Sequence, residues 1–346
     1  MLKLYSSQNP ADYYTDVECA LRADIISQMN TNYVVYDGLA MKYGGAIGIG
    51  SDDTHHIIIR NCDFSYIGGS ELRNRPGIRY GNGVEFWGNA HDNIVEKCRF
   101  WEIYDAAVTN QNLGPVVKQY NIRYRYNLIW NCEYSFEYWN WPEQSQTHHI
   151  YFENNTCVNA GYGWGHSQRF NPGGRHLCFY EAAAAAHDIY IRNNIFFEAT
   201  DNAFFAPKWP ETTMAALHMD NNCWYQRVGA MVLLKQRGYT MAQFSAYQSE
   251  EGMEANSIIA NPLLVDAANG DLHLKKLSLC IDAGTDLGLK ADYEGNTIPQ
   301  GTAPDIGAYE FPNSPVPSVV RKPMGKKYQP QRPVVGEDFQ TQDGGN

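Results

Sequence analysis

The stretch HHIYFENNTCVNAGYGWGHSQ, residues 148–168, decides the fold, because its layout recurs with similar offsets on both sides of it. In each copy, β-branched and aromatic residues alternate with polar ones, an anchor residue marks a bend, and a second short apolar run follows. The other copies are VVYDGLA, IIIRNCDF, NIVEKCRF, IRYRYNLIW, IYIRNNIFF and LHMDNNCWY. The anchors, in chain order, are Gly38, Cys62, Cys98, Asn127, Asn155, Asn194 and Asn222.

The steps between successive anchors are 24, 36, 29, 28, 39 and 28 residues, which is a base period in the twenties with insertions. A period of this length is typical of a solenoid. A helical solenoid would need long stretches with a period of 3.6 residues, and the chain lacks them. Short strands at this period, with asparagines stacked at successive bends, predict an all-β fold, a right-handed parallel β-helix.

The chain of 346 residues, 44% of them hydrophobic, can bury one long core, since a solenoid grows by adding coils. We expect an N-terminal segment over residues 1–32, which forms a short helix or a truncated first coil. The β-helix domain should then span residues 33–311, and a Pro-rich tail or linker residues 312–346. Residues 239–253 have apolar side chains at helical spacing, which predicts a short helix near the C-terminal end, packed on the solenoid.

The net charge of −11 and the pI of about 5.4 argue against nucleic acid or an anionic membrane as partner, because both are bound through basic surface. No apolar run approaches the roughly 18 residues that a membrane span needs. We expect a secreted or periplasmic protein whose signal peptide is absent from this sequence. The eight cysteines do not form a disulfide framework in so long a chain. Cys62 and Cys98, at the same place in adjacent coils, should stack as free thiols, although a bridge would be within reach.

Residues 257–311 contain the motifs NPLLVD, GDLHL, IDAG and PDIGAYEF, the last at residues 304–311. This segment of 55 residues resembles the C-terminal end of bacterial right-handed β-helix proteins of the pectate-lyase-like superfamily, in which these motifs form and close the last coil. The resemblance implies a parallel β-helix with an irregular last coil. It implies little about the reaction, since the superfamily includes lyases, glycoside hydrolases, epimerases, esterases and phage tailspikes.

The repeat also predicts which side chains share a column on the second strand of each coil. Side chains on a strand alternate between the two faces, so every second residue should point outward. The predicted outward column consists of the residues ten positions after each anchor, with Gly83 aligned to Ala106 in the coil that contains the first insertion. Its members are Gly48, Glu85, Val108, Glu137, Gly165, Phe204 and Val232. Trp87, Asn110 and Trp139 lie two residues further along three of these strands and should face outward beside the column.

Glu85 and Glu137 would lie two coils apart, which places their backbones roughly 9.6 Å from each other. Carboxylates about 6.5 to 9.5 Å apart suit an inverting glycosidase, in which one protonates the leaving oxygen and the other activates water. Asp105, at the bend between them, is a third acid that could replace either. Trp87, Trp139 and Trp141 offer apolar faces for sugar rings. Alternatively, the two glutamates are ordinary solvated strand residues.

A second group of candidates lies in GWGHSQRFNPGGRH, which contains His166, Arg169, Arg175 and His176, with Tyr138 one coil earlier. A polysaccharide lyase needs a base such as these and a cation that neutralises a uronate carboxylate. The alternative is a groove wall whose arginines bond backbone carbonyls or pair with Glu181 and Asp201. Glu181 is a further candidate for substrate contact. The insertions at residues 68–81 and 168–178 should wall the groove on one side of the solenoid.

Four histidines, His55, His91, His148 and His187, each lie seven residues before an anchor and should stack at one corner. Ligands spaced one coil apart along a corner do not converge on a point, so we expect turn stacking and no metal site. We also expect no cofactor, with a calcium requirement left open.

The leading function is a carbohydrate-active enzyme, a glycoside hydrolase for a neutral or weakly charged polysaccharide or oligosaccharide. The first alternative is a polysaccharide lyase that uses the loop of His166 and Arg169. The second is a noncatalytic glycan-binding or tailspike-like structural protein.

Overall fold

Each coil contributes three short strands, and each strand pairs in parallel with the equivalent strand of the next coil. On the second sheet, for example, Val95 is the strand partner of Ile59 on one side and of Tyr124 on the other, and all three side chains are buried. This stacking is the predicted parallel β-helix. The computed structural model describes residues 8–14, 19–73, 75–182, 185–210 and 216–312, all within one compact unit, Met1–Asn313. The predicted tail therefore lies, apart from Pro312, outside the described residues.

Three sheets run the length of the solenoid. The first has the strands Ile26–Met29, Ile49–Asp52, Val84–Trp87, Ala106–Asn112, Tyr134–Asn140, Arg175–Phe179, Phe204–Ala206, Val232–Leu234 and Arg237–Tyr239. The second has Val35–Asp37, Ile58–Arg60, His91–Glu96, Lys118–Arg125, Gln146–Glu153, His187–Arg192 and Leu217–Asp220. The third has Ala40–Lys42, Asp63–Ile67, Arg99–Ile103, Leu128–Trp130, Thr156–Ala160, Ile195–Ala199, Cys223–Tyr225 and Ile258–Ile259.

Two small antiparallel hairpins and a few helical turns complete the secondary structure. The hairpins are Ser70–Glu71 with Arg79–Tyr80 and Leu264–Asp266 with Asp271–Leu274. The helical turns are Pro10–Tyr13, His166–Gln168, Met241–Gln243, Phe244–Glu251 and Ala267–Asn269. The predicted short helix is confirmed, because Phe244 and Tyr247 bury their rings against the solenoid core. No helix in the described ranges is long and apolar enough to cross a bilayer.

The asparagine ladder holds the bend between the second and third sheets. Asn155 Oδ1 accepts hydrogen bonds from the backbone N and the side-chain Nδ2 of Asn127, both at 3.0 Å. The backbone N of Asn155 in turn donates to Asn194 Oδ1 at 2.9 Å, and the pattern repeats to Asn222. The residue before each anchor from Cys62 onward is left-handed, which turns the chain sharply; these residues are Asn61, Lys97, Tyr126, Asn154, Asn193 and Asn221.

The cysteine prediction is also confirmed. Cys62 and Cys98 lie side by side, since the next residues, Asp63 and Arg99, are strand partners. Both are buried free thiols. They act as small apolar core residues at one position of the repeat.

The C-terminal segment covers the outer face of the third sheet instead of adding a coil at the end of the stack. Ile306, Ala308 and Tyr309 pack with Leu128 and Ile195 in one buried apolar cluster. The backbone N of Ala308 donates to Thr156 Oγ1 (3.0 Å) and that of Gly307 donates to Asn193 O (2.8 Å). The expectation that PDIGAYEF closes the last coil is therefore corrected, because its apolar side chains pack against residues of the middle coils.

Candidate active site

Glu85 and Glu137 share an outward column of the first sheet, because both are strand partners of Thr109. The column, called here the carboxylate column, contains Gly50, Glu85, Thr109, Glu137, Cys178 and Phe205.

The predicted column was correct for the two glutamates and wrong for its other members. Val108 points into the core as the strand partner of Val84 and Phe136. The spacing from anchor to column is not constant: Glu137 follows Asn127 by ten residues (137 − 127), whereas Thr109 follows Cys98 by eleven (109 − 98). In the coil of Asn155, the insertion moves the column from Gly165 to Cys178.

Glu137 is almost completely buried although it faces outward, with 5% of its surface exposed. Its Oε2 accepts a hydrogen bond from Gln111 Nε2. Burial raises the pKa of Glu137 well above its ordinary value, and the nearby charges of Asp105 and Glu85 raise it further. Arg169 and the Gln111 bond oppose the rise. The expected solvent-exposed carboxylate is thus corrected to a buried one whose pKa is raised.

Glu85 is half-buried, and its Oε2 accepts a hydrogen bond of 2.6 Å from Asn82 Nδ2. Burial raises the pKa of Glu85 to about 7, against the lowering effect of the Asn82 bond. The charges of Asp24, Asp105 and Asp52 add to the rise. Both glutamates of the column therefore have a raised pKa, chiefly because of burial.

Asp105 lies at the bend before the strand Ala106–Asn112 and binds the loop that follows the third sheet. Arg169 Nη2 lies 3.1 Å from Asp105 Oδ1, and Arg169 Nη1 donates to Tyr104 O at 2.7 Å. Burial raises the pKa of Asp105, and Arg169 opposes that rise. The guanidinium of Arg169 also lies over the rings of Tyr104 and Tyr134.

Glu133 is a site residue that the sequence reasoning missed. Its side chain is buried, and its Oε1 accepts a hydrogen bond of 2.8 Å from the backbone N of Gly173. His166 Nδ1 donates to Glu133 Oε2 at 3.0 Å, and Arg169 Nε lies 3.6 Å from Oε1. Glu133 directly precedes its strand, as Asp105 does one coil earlier, and that equivalent position was the available signal.

The two insertions lie against each other, as the groove-wall prediction requires. Arg79 Nη1, in the first, donates to Gln168 Oε1, in the second, at 2.9 Å. Trp164 donates through Nε1 to Glu102 O at 2.8 Å and packs on the ring of Tyr104. The two loops thus border one end of the first-sheet strands, where Asp105 and Glu133 lie.

Aromatic side chains flank the carboxylate column. Trp139 is half-buried beside Glu137, packs at 5.1 Å from the ring of Tyr180, and donates through Nε1 to Glu181 Oε2 at 3.1 Å. Trp87 is half-buried two residues after Glu85, and Trp141 is 44% exposed. All three tryptophan rings are at least partly exposed, and their role in binding sugar rings stays a prediction.

Three residues predicted for the groove lie in the core instead. Asn110 is fully buried and accepts a hydrogen bond of 2.7 Å from the hydroxyl of Tyr124, since it follows Thr109 and takes the opposite face. Tyr138 occupies the same inward position one coil later and packs on Phe179. His176 is buried too, where its Nε2 donates to Glu198 O at 3.1 Å and burial lowers its pKa to about 3. None of them can contact a ligand on the outer face.

Arg175 belongs to the wall and has its own carboxylate partner. Its Nη2 lies 2.7 Å from Asp201 Oδ2, and its guanidinium lies 3.5 Å from the centre of the Phe205 ring. The structural alternative that paired this arginine with Asp201 is confirmed. Glu181, the remaining candidate, accepts the Trp139 bond and pairs with Lys208 at 3.3 Å.

No protein family model matches this chain, and no curated protein sequence matches it. Among solved structures, the chain is similar to the crystal structure of pectate lyase Pel9A, with 14% identity and a TM-score of 0.39. The match covers 81% of this chain and 66%, just under two thirds, of that chain. Nothing about the reaction follows from a likeness of this size, so the function has to be argued from the side chains described above.

Proposed function

We propose that the protein is a glycoside hydrolase that cleaves a neutral or weakly charged glycan, with Glu137 as general acid and Glu85 as general base. The observation that carries the proposal is the place of Glu137, a buried carboxyl on the outer face whose pKa is raised well above its ordinary value by burial and by the charges of Asp105 and Glu85. A general acid has to hold a proton at the working pH, and burial beside other carboxylates is a common way to achieve this.

Glu85 suits the second role. With a pKa of about 7, it is ionised in half of the molecules near pH 7 and in more of them at higher pH, and the ionised form can take a proton from water. Two coils separate the two glutamates, so their backbones are roughly 9.6 Å apart, which leaves room for a water molecule between the carboxyl groups. Side chains that lean slightly toward each other would bring the two carboxyl groups into the range of about 6.5 to 9.5 Å that is typical of inverting pairs.

The charge of the site favours an uncharged sugar. The charges of Asp24, Asp52 and Asp105 raise the pKa of Glu85, and those of Asp105 and Glu85 raise the pKa of Glu137. A uronate would be repelled by such a set of carboxyl groups unless free cations were present.

The lyase alternative needs a base and a cation that are available to the substrate, and the candidates for both roles already have partners. Arg169 is bound to Asp105, and His166 to Glu133. A uronate would have to compete with these buried contacts. We therefore place the lyase second and the noncatalytic glycan binder third.

The test is a panel of neutral and acidic glycans, with two readouts for each sugar. New reducing ends without ultraviolet absorbance from an unsaturated uronate are expected, and the Glu137→Gln variant should lose this activity. Unsaturated products would support the lyase instead. Binding without either signal would support the noncatalytic alternative and refute the proposal.

A further inference from the structure

A corner of the solenoid away from the carboxylate column carries a row of stacked imidazoles and one phenol. His55 and His91 stack at 4.7 Å between ring centres, Tyr120 continues the row, and His148 and His187 stack at 4.8 Å. This confirms the predicted turn stacking. The row marks the entry of each coil into the second sheet, because His91 and His187 begin their strands.

A second column of polar side chains runs beside this row and adds possible metal ligands to the corner. The residue after each stacked ring is left-handed, with φ between 51° and 56°. These residues are His56, Asp92, Asn121, His149 and Asp188. Two neighbouring columns of donor atoms, and not one residue per coil, therefore line this corner.

The two columns converge at Asp188. Its Oδ2 lies 2.7 Å from His187 Nδ1 and 3.8 Å from His149 Nε2, and its Oδ1 lies 3.7 Å from His218 Nε2. One donor atom each from His149, His187 and Asp188 lies within 4.8 Å of the other two. Within the described part of the chain, this is the one group of three or more His, Cys, Asp or Glu side chains that meets that spacing.

We propose that this cluster binds one zinc ion through His149, His187 and Asp188, with His218 close enough to be a fourth ligand. Imidazole nitrogen and carboxylate oxygen are ligands that zinc accepts, and four of them suit its tetrahedral preference. Calcium and magnesium prefer sites built from oxygen atoms, so they fit this cluster poorly.

Hydrogen bonds from neighbouring side chains position two of the proposed ligands, His149 and Asp188. His149 Nδ1 and His148 Nδ1 are hydrogen-bonded at 2.8 Å, which orients the His149 ring so that its Nε2 faces Asp188. The hydroxyl of Tyr190 donates to Asp188 Oδ1 at 3.2 Å. Such outer contacts hold ligating side chains in place. The four donors come from three successive coils, so the ion would join these coils and stabilise their stacking.

The proposal is tested by isothermal titration of the full chain with zinc chloride after treatment with a chelator. One site per chain is expected, together with a rise in melting temperature when zinc is added. The variants His187→Ala and Asp188→Asn should each lose zinc affinity by more than about tenfold. Even the loss of a residue that only supports a metal ligand typically costs about that much.

The matched control is His55→Ala, which removes the equivalent ring of the stack at a coil outside the cluster. It should keep both the zinc affinity and the thermal shift of the wild type. Circular dichroism of each variant without zinc checks that the fold is intact, and His149→Gln provides a third variant with a milder change of volume. No binding at millimolar zinc, or binding that all three cluster variants retain, would overturn the proposal.

Discussion

Replacing Glu85 with glutamine should make the protein more stable above pH 7 than the wild type. The glutamine keeps the volume of the side chain, and its oxygen can still accept the hydrogen bond from Asn82 Nδ2. What it removes is the negative charge that the site holds among Asp24, Asp52 and Asp105.

The size of the effect follows from the pKa of Glu85, which is about 7 in the folded chain against an ordinary value of 4.5. The folded state therefore holds a proton that the unfolded state has lost, so stability falls as the pH rises between these two values. Each pH unit costs about 1.4 kcal/mol, so the difference of 2.5 units between 4.5 and about 7 gives an upper limit of roughly 3.5 kcal/mol. Because Glu85 is only half-buried, we expect about 1 to 2 kcal/mol after screening by solvent.

The assay is urea unfolding of the wild type and Glu85→Gln at pH 5 and at pH 8. The variant should match the wild type at pH 5, where Glu85 is protonated in the folded state, and exceed it at pH 8. Glu143→Gln, at an exposed position, is the control and should show no gain at either pH. Equal stability of Glu85→Gln and the wild type at pH 8 would refute the claim that ionisation of Glu85 destabilises the folded state at this pH.

Three further results are expected. If Glu85 and Glu137 act across a water molecule, proton NMR of the first product should show the anomer opposite to that of the substrate, and retention would exclude an inverting pair. Arg169→Met should destabilise by about 3 kcal/mol at pH 8 and by less at pH 5, because Asp105 loses the cation that opposes the rise of its pKa by burial and is then protonated more readily at the lower pH; equal losses in urea unfolding at both pH values would contradict this. Asn155→Ala should cost about 2 to 4 kcal/mol, since the buried backbone N of Asn127 loses its acceptor, whereas Asn269→Ala, at an exposed turn, should cost little in the same unfolding assay.

The fold could be predicted from the sequence because the repeat is marked by side chains whose role is local. The ladder asparagines occupy the same bend in successive coils and hydrogen-bond to one another, so their spacing in sequence gives the number of residues in each coil. They are Asn127, Asn155, Asn194 and Asn222. Glu85 and Glu137 were placed in one column for the same reason. The alternation of faces on a strand then indicated that both point outward.

The other features of the site could not be predicted, because they depend on loop lengths and tertiary contacts that the repeat does not specify. One additional residue between Cys98 and Thr109 reversed the faces assigned in that coil, so Asn110 entered the core. The burial of Glu137 could not be predicted either, because it depends on tertiary contacts such as the one with Gln111. Glu133 was missed because its partners, Gly173, His166 and Arg169, come from a loop whose contacts the repeat does not specify.

The central claim is that Glu137 supplies the proton and Glu85 the base, and the most direct measurement is the turnover of Glu137→Gln and Glu85→Gln on the glycan that the wild type cleaves. Each variant should lose on the order of 10² to 10⁴ in kcat, with a melting temperature at pH 8 no lower than that of the wild type. Wild-type turnover in both variants would contradict the claim. So would a joint loss of activity and melting temperature, which would make these two residues structural.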